Sequence, residues 1–170
     1  MKIALLGAES TGKTQLAGEL ALHFAAQGVS TIVVSEVLRE WCVHEQRTPR
    51  PEEQMPIAQE QERRVDKAAA QAAMVISDTT ALMVAIYSGM LFNDGSLYAF
   101  ALERQRGYDL TLVTGLDLPW VADGLQRDGP HVREPVDALI RAALAKADVP
   151  YRVIYGSGAA RLAQAVLAID

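Results

Sequence analysis

Hydrophobic and polar positions along this chain follow two different periods, and the places where the period changes divide it into short strands and longer helices. Lys2–Leu6 is a compact apolar run closed by Gly7, which predicts a buried strand. From Lys13 the pattern lengthens: Leu16, Leu20 and Phe24 recur every four residues on one helical face, and Gly28 supplies a stop. Thr31–Val34 is β-branched throughout or nearly so and predicts a second strand. Between Ser35 and Lys67 charged residues dominate, broken by Pro49, Pro51 and Pro56, which predicts two helices joined by a loop around residues 48–56. Met74–Ser77 predicts a third strand that delivers Asp78 at its end. Residues 79–106 read as helical with an interruption at Asn93-Asp94-Gly95, a strong turn signal. Leu110–Val113 and Tyr151–Tyr155 predict strands four and five. Val136, Leu139, Ile140, Ala143, Leu144 and Ala147 form one helical stripe between them, and a last helix runs from about Ala159.

Strands alternating with helices predict an α/β domain: about five mainly parallel strands with helices on both faces. The 170 residues fit a single domain, residues 1–170, with a sizeable core. Sheets of this kind bind ligands at the carboxyl ends of their strands, so the polar residues just after each strand are where chemistry is expected. Composition narrows the classes further. Half the residues are apolar and 22% are charged, as in folded globular proteins. No stretch approaches the ~18 uninterrupted apolar residues of a membrane span, and the N-terminal run reads as a strand, not a signal peptide. A single cysteine, Cys42, cannot form an internal disulfide and reads as a small core residue. These features predict a cytoplasmic protein with no membrane partner. A net charge of −5 argues against a nucleic-acid surface but leaves room for a small anion in a local basic pocket. His23, His44 and His131 show no metal-ligand spacing.

The sharpest motif follows the first strand. Gly7-Ala8-Glu9-Ser10-Thr11-Gly12-Lys13-Thr14 matches G-x-x-x-x-G-K-[ST] at every fixed position, with a strand before it and an amphipathic helix after it. This is the phosphate-binding loop of the P-loop NTPase fold. Gly7 and Gly12 permit backbone conformations and close approaches that a Cβ would obstruct. Successive backbone N–H groups then converge on phosphate oxygens, reinforced by the positive end of the following helix. Lys13 brings a compact positive charge to the β- and γ-phosphates, and the Thr14 hydroxyl is the expected Mg2+ ligand. A nucleoside triphosphate, ATP above all, is therefore the expected ligand.

Other strand ends carry weaker signals. Asp78 emerges where a carboxylate near Mg2+ belongs in P-loop proteins, although Asp is also a good helix N-cap for the segment that follows. Glu36 lies two residues after the second strand, with Arg39 and Glu40 one turn on. This carboxylate could take the proton of a substrate hydroxyl while the arginine steadies an anion, or the group could be an ordinary ion-paired helix face. After the fourth strand, residues 117–134 read as a lid in which Asp123, Arg127 and Arg133 sit. Arginines there could close over transferring phosphates, the alternative being a polar surface loop with Trp120 tucked into the core. Gly156-Ser157-Gly158 follows the fifth strand, where a backbone turn could hold an adenine edge or Ser157 could cap the last helix.

Taken together these segments resemble the ribosylnicotinamide kinase domain of the bacterial NadR family. The resemblance rests on Gly7–Thr14, Ser35-Glu36-Val37-Leu38-Arg39-Glu40, Ser77-Asp78-Thr79-Thr80, Asp109-Leu110 and Pro119–Arg127, in that order along essentially the whole chain. It implies ATP-dependent phosphorylation of a nucleoside-like hydroxyl, with nicotinamide riboside as the leading candidate. Carried over by position, Glu36 and Arg39 would lie beside the substrate, Asp78 near the metal and the phosphoryl-accepting hydroxyl, and Arg127 on the lid. The adenylyltransferase and DNA-binding modules of the family's multidomain members have no counterpart in this sequence, so a bifunctional enzyme or a DNA-binding repressor is not expected.

Two function classes follow. A small-molecule kinase would consume ATP only when a nucleoside-like substrate is present, with catalysis by Lys13, Glu36, Asp78 and Arg127. A P-loop ATPase or nucleotide-dependent switch would use the Glu- and Arg-rich stretch 36–67 as a protein-binding surface. A GTPase is disfavoured because Thr114-Gly115-Leu116-Asp117 stands where an N-K-x-D segment would be expected. The phosphoryl acceptor is left open, as is assembly into a homo-oligomer.

Overall fold

In the computed structural model, described for residues 1–122 and 129–169, five parallel strands lie in the order β2-β3-β1-β4-β5. They are β1 (Lys2–Leu6), β2 (Thr31–Val34), β3 (Met74–Asp78), β4 (Leu110–Thr114) and β5 (Arg152–Ile154). The central strand β1 pairs with β3 on one side (Ile3 beside Ile76) and with β4 on the other (Leu5 beside Leu112). Its side chains alternate between two buried faces, which is why it reads as an unbroken apolar run. Ile3 and Leu5 face α1 (Lys13–Ala26) and α7 (Gly158–Ile169), meeting Leu16, Leu20, Phe24 and Ala165. Leu6 belongs to the opposite cluster, with α2 (Val37–Glu45), α3 (Pro51–Ala69), α4 (Ala81–Phe92), α5 (Tyr98–Gln105) and α6 (Arg133–Lys146). The α/β expectation holds, with helices on both faces. All the loops after the strands open at one edge of the sheet, and the phosphate loop is central among them because β1 is central.

Three local expectations are corrected. The loop expected at 48–56 is shorter, because Pro51 is the first residue of α3, where its missing N–H costs nothing and its fixed φ suits a helix. Glu53 stabilises that start by accepting the Arg50 N–H at 2.7 Å. Pro56 lies inside α3 and forgoes one backbone bond near the helix start. On α6, Val136, Ile140, Ala143 and Leu144 are buried as the stripe predicts, but Leu139 stays 36% exposed at its margin. The fifth strand is trimmed to three residues at the sheet edge, leaving Tyr155 exposed.

Candidate functional site

The Gly7–Thr14 loop is held in shape by contacts that its sequence specifies. Gly7 has φ 153°, and a Cβ there would stand 2.0 Å from Thr114 Oγ1 on β4. Gly12 has φ 72°, and a Cβ there would meet the Arg161 guanidinium at 2.7 Å. Both positions therefore demand glycine for conformation and for space. Ser10 also adopts a left-handed conformation, with φ 55°. Thr11 Oγ1 donates to Ala8 O at 2.8 Å and lies 2.6 Å from Thr114 Oγ1, fixing the loop to the end of β4. Lys13 Nζ folds back over the loop, donating to Gly7 O at 3.0 Å and Ala8 O at 2.9 Å. An ammonium in that place already spans the cradle into which phosphate oxygens would fit.

Thr14 Oγ1 donates to Asp78 Oδ2 at 2.5 Å, so the structure brings together the two residues expected at a metal site. The other carboxylate oxygen, Asp78 Oδ1, is buried and has no hydrogen-bond partner among the described residues. A buried, unsatisfied carboxylate oxygen beside a hydroxyl is a donor set that suits a hard divalent cation such as Mg2+. Asp78 is not the cap of α4: Thr80 is, accepting the Leu82 N–H at 3.2 Å. Thr79, with φ 70°, turns the chain between them. Among the described residues no group of three or more His, Cys, Asp or Glu side chains comes together for a protein-built metal cage.

One cavity of about 870 Å³ begins at this loop and extends well past it. Residues 9–15 line it, and so do Glu36 and Arg39. Glu36 sits at the N-cap position of α2 with Arg39 Nε 3.6 Å from its carboxylate, so the ion-paired face and the pocket location coexist. Leu118, Pro119, Val121 and Ala122 form a further wall. This wall is tied to the phosphate loop, since Ser10 Oγ accepts the Val121 N–H at 2.8 Å and lies 3.2 Å from Val121 O. Asp123 and Arg127 of the expected lid lie outside the described residues. Arg133 is placed as the first residue of α6, buried, with Nη2 donating to Leu116 O at 3.4 Å. Trp120 is half-buried with its indole N–H enclosed. Gly156 and Ser157 do not line the cavity; the Gly156 N–H instead donates to Asp117 Oδ2 at 2.6 Å, which ties the turn after β5 to the loop after β4.

Several residues at the site carry no sequence signal of their own. Arg161 on α7 is buried and donates from Nη2 to Thr11 O, supporting the phosphate loop from below. Burial lowers its pKa, opposed by the charge of Asp117. Gln61 on α3 spans two strand ends: its Oε1 accepts the Val37 N–H at 2.8 Å and its Nε2 donates to Ser77 Oγ at 3.2 Å. That bridge sets the start of α2, and so Glu36, against the strand carrying Asp78. Glu62 accepts from Ala81 N at 2.9 Å, Tyr108 Oη at 3.1 Å and Arg104 Nε at 3.4 Å. The one available hint is that Gln54, Gln61 and Glu62 fall on the same α3 stripe as Ile57, Ala58 and Val65, so polar groups occupy core positions.

The fold and loop are those of a P-loop α/β domain, and comparisons with known proteins agree. A family model described as an AAA domain matches residues 2–161, and the chain belongs to that family. A NadR protein in complex with NAD and AMP-PNP superposes with a TM-score of 0.76 at 16% identity, over 99% of this chain and 48% of the other. The NadR protein in complex with NR gives 0.77 at 17%, over 99% and 49%. This chain thus spans about half the length of those NadR chains. Deoxyadenosine kinase from M. mycoides gives 0.67 at 15%, over 99% of this chain and 98% of the other. Thymidylate kinase from Ehrlichia chaffeensis gives 0.70 at 14%, over 100% and 98%. A search of curated proteins gave no significant match. The fold is shared with part of the NadR chains and with the two kinases along nearly their whole length. Among the described residues no helix is long and apolar enough to cross a membrane.

Proposed function

We propose that this protein is an ATP-dependent kinase that transfers the γ-phosphoryl group to a hydroxyl of a nucleoside-like small molecule, with nicotinamide riboside the leading acceptor. The observation that carries the proposal is the shared cavity: the phosphate loop lines the same space as a carboxylate, an arginine and apolar side chains from α2, α4 and the loop after β4. An ATPase needs room only for nucleotide and water. The carboxylate, arginine and apolar side chains that line the cavity besides the loop have the character of a small-molecule site. The alternative, a switch using stretch 36–67 as a protein-binding surface, is weakened because its charges satisfy one another. Glu60 pairs with Arg63 and Arg64 at 2.6 and 2.9 Å, and Arg64 pairs with Glu40 at 2.5 Å.

In this reading the backbone N–H groups of Gly7–Thr14 grip the β- and γ-phosphates. Lys13 leaves the carbonyls of Gly7 and Ala8 for phosphate oxygens and offsets charge spread over the transferring group. Thr14 and Asp78 would hold Mg2+, which when bound neutralises phosphate charge and fixes the orientation of the chain of phosphates. The bond from the γ-phosphorus to the β-bridging oxygen breaks as a bond to the acceptor oxygen forms, roughly in line. We assign Glu36 to receive the acceptor's proton, because it lines the chamber while Asp78 is engaged with Thr14 and does not. Arg39 holds the Glu36 carboxylate in place and faces the same chamber. Arg127 would act from the lid, on the strength of the family resemblance alone.

A coupled ADP-release screen against nicotinamide riboside, the common nucleosides and their monophosphates tests the proposal. ADP release should rise sharply with one acceptor and yield its phosphorylated product. Hydrolysis unchanged by every acceptor would instead support the ATPase or switch.

A further inference from the structure

Besides Glu36, Arg39, Gln46 and Thr48, the cavity shared with the phosphate loop is lined by Leu38, Cys42, Pro49, Tyr87 and Leu91, which are apolar or weakly polar. From α3 comes a further polar side chain, and it is deeply buried. Gln54 is 2% exposed, lines the chamber, and its Oε1 is buried without a hydrogen-bond partner among the described residues. Two helical turns along the same helix, the amide of Gln61 is satisfied at both ends, by Val37 and Ser77. The contrast is informative, since a buried amide carbonyl left unpaired is costly and buried polar atoms are nearly always satisfied in the working state. A turn about its side-chain torsions that brings Oε1 to the cavity gives it a partner in a donor carried by the ligand. Tyr87 supplies an aromatic wall in the same chamber, against which a planar ring can lie.

We propose that Gln54 is a specificity-determining residue whose Oε1 accepts an N–H from the planar group of the phosphoryl acceptor, so that the site selects a ring bearing a carboxamide or amino donor over the same ring bearing a carboxylate. This rests on the kinase reading above and narrows its substrate class. A ligand without the N–H leaves Oε1 stranded, and a carboxylate adds repulsion between two oxygen acceptors. Sites built to satisfy a substrate hydrogen bond discriminate in this way more strongly than apolar pockets do.

The test is calorimetric titration of nicotinamide riboside and nicotinic acid riboside, a near-isosteric amide and acid pair, into the wild type, Gln54→Met and Gln54→Glu. The wild type should favour the amide by roughly tenfold to a hundredfold. Gln54→Met, similar in shape but without the carbonyl, should bring the two affinities to within about threefold. Gln54→Glu, which keeps an oxygen acceptor, should retain the preference for the amide, and it serves alone if the methionine variant misfolds. Mg-ATP binding reports that each variant is folded. A wild type that prefers the acid or does not discriminate, or a Gln54→Met variant with undiminished preference, overturns the inference. The two claims separate cleanly: ADP release stimulated by some acceptor without amide selectivity keeps the kinase reading and sinks this one. A chain that binds neither riboside and is stimulated by no acceptor loses both.

Discussion

Adding one methyl group at Gly7 tests the loop geometry independently of any substrate. In Gly7→Ala the new Cβ would stand 2.0 Å from Thr114 Oγ1, 3.0 Å from Thr11 Oγ1 and 3.2 Å from Thr114 O, at a φ of 153°. The backbone conformation alone costs about 1–3 kcal/mol for a residue with a side chain. Relieving the clash means moving the Thr114 hydroxyl, which would forfeit its contacts with Thr11 Oγ1 (2.6 Å) and Leu6 O (3.2 Å), at about 1 kcal/mol each. The expected loss is about 3–5 kcal/mol, large against the ~5–15 kcal/mol of a typical domain yet compatible with folding. Urea unfolding followed by circular dichroism measures it, with the same substitution repeated in a Thr114→Ala background. There the 2.0 Å clash with the hydroxyl is gone while the backbone cost and the approaches to Thr11 Oγ1 and Thr114 O remain, so the cycle should show a coupling of about 2 kcal/mol. A loss below about 1 kcal/mol for Gly7→Ala, or equal losses in both backgrounds, would refute the described contact between the loop and β4.

Other expectations concern charge and chemistry. Lys13→Ala should reduce phosphoryl transfer by on the order of a hundredfold or more, read in the ADP-release assay; near-wild-type turnover would contradict the role given to the ammonium. Glu36→Gln should lower kcat with the acceptor by about 10²–10⁴ while leaving Mg-ATP affinity nearly intact, whereas a fall in ATP affinity alone would show that Glu36 is misplaced. Glu62→Leu strands the Ala81 N–H and the Tyr108 hydroxyl in the core, while Arg104 keeps Asp66, costing roughly 2–5 kcal/mol and lowering Tm by on the order of 10 °C in a scanning calorimeter. Hydrogen bonds from Arg63 and Arg64 hold Glu60 down to about 2, and one from Arg47 holds Glu53 down to about 2. Since both are depressed on folding, the stability they contribute is present above pH ~4.5 and is lost as pH falls towards ~2. Glu60→Gln should flatten that part of the urea-midpoint profile, and an unchanged profile would discount the pair.

Elements with a simple local cause were readable in the sequence. β1, β3 and β4 are buried on both faces, so their apolar runs identify them directly, and the phosphate loop declares itself through fixed glycines, Lys13 and Thr14. Pro51 was harder, because proline both breaks a helix and suits its first position, and only the packing of α3 decides between the two. Leu139 falls at the margin of a stripe whose width depends on what α6 covers. The candidate site divides in the same way. Thr14 and Asp78, 64 positions apart, were expected to meet because a strand end points each to one edge, and they do. Arg161, 150 positions from the loop it supports, and Gln61, joined to Val37 and Ser77, act through contacts made only by folding. A polar residue on an apolar stripe hints at a buried role without naming its partner. Arg133, expected within the 117–134 lid, is buried at the start of α6 and donates to Leu116 O, a contact the spacing of residues does not announce.

The central claim is that residues 7–14 wrap their main chain around a triphosphate, and direct titration of Mg-ATP into the folded protein tests it most simply. Saturable one-to-one binding, greatly weakened in Lys13→Ala and dependent on the divalent cation, is the predicted result. Folded wild-type protein that takes up neither Mg-ATP nor Mg-GTP would contradict it.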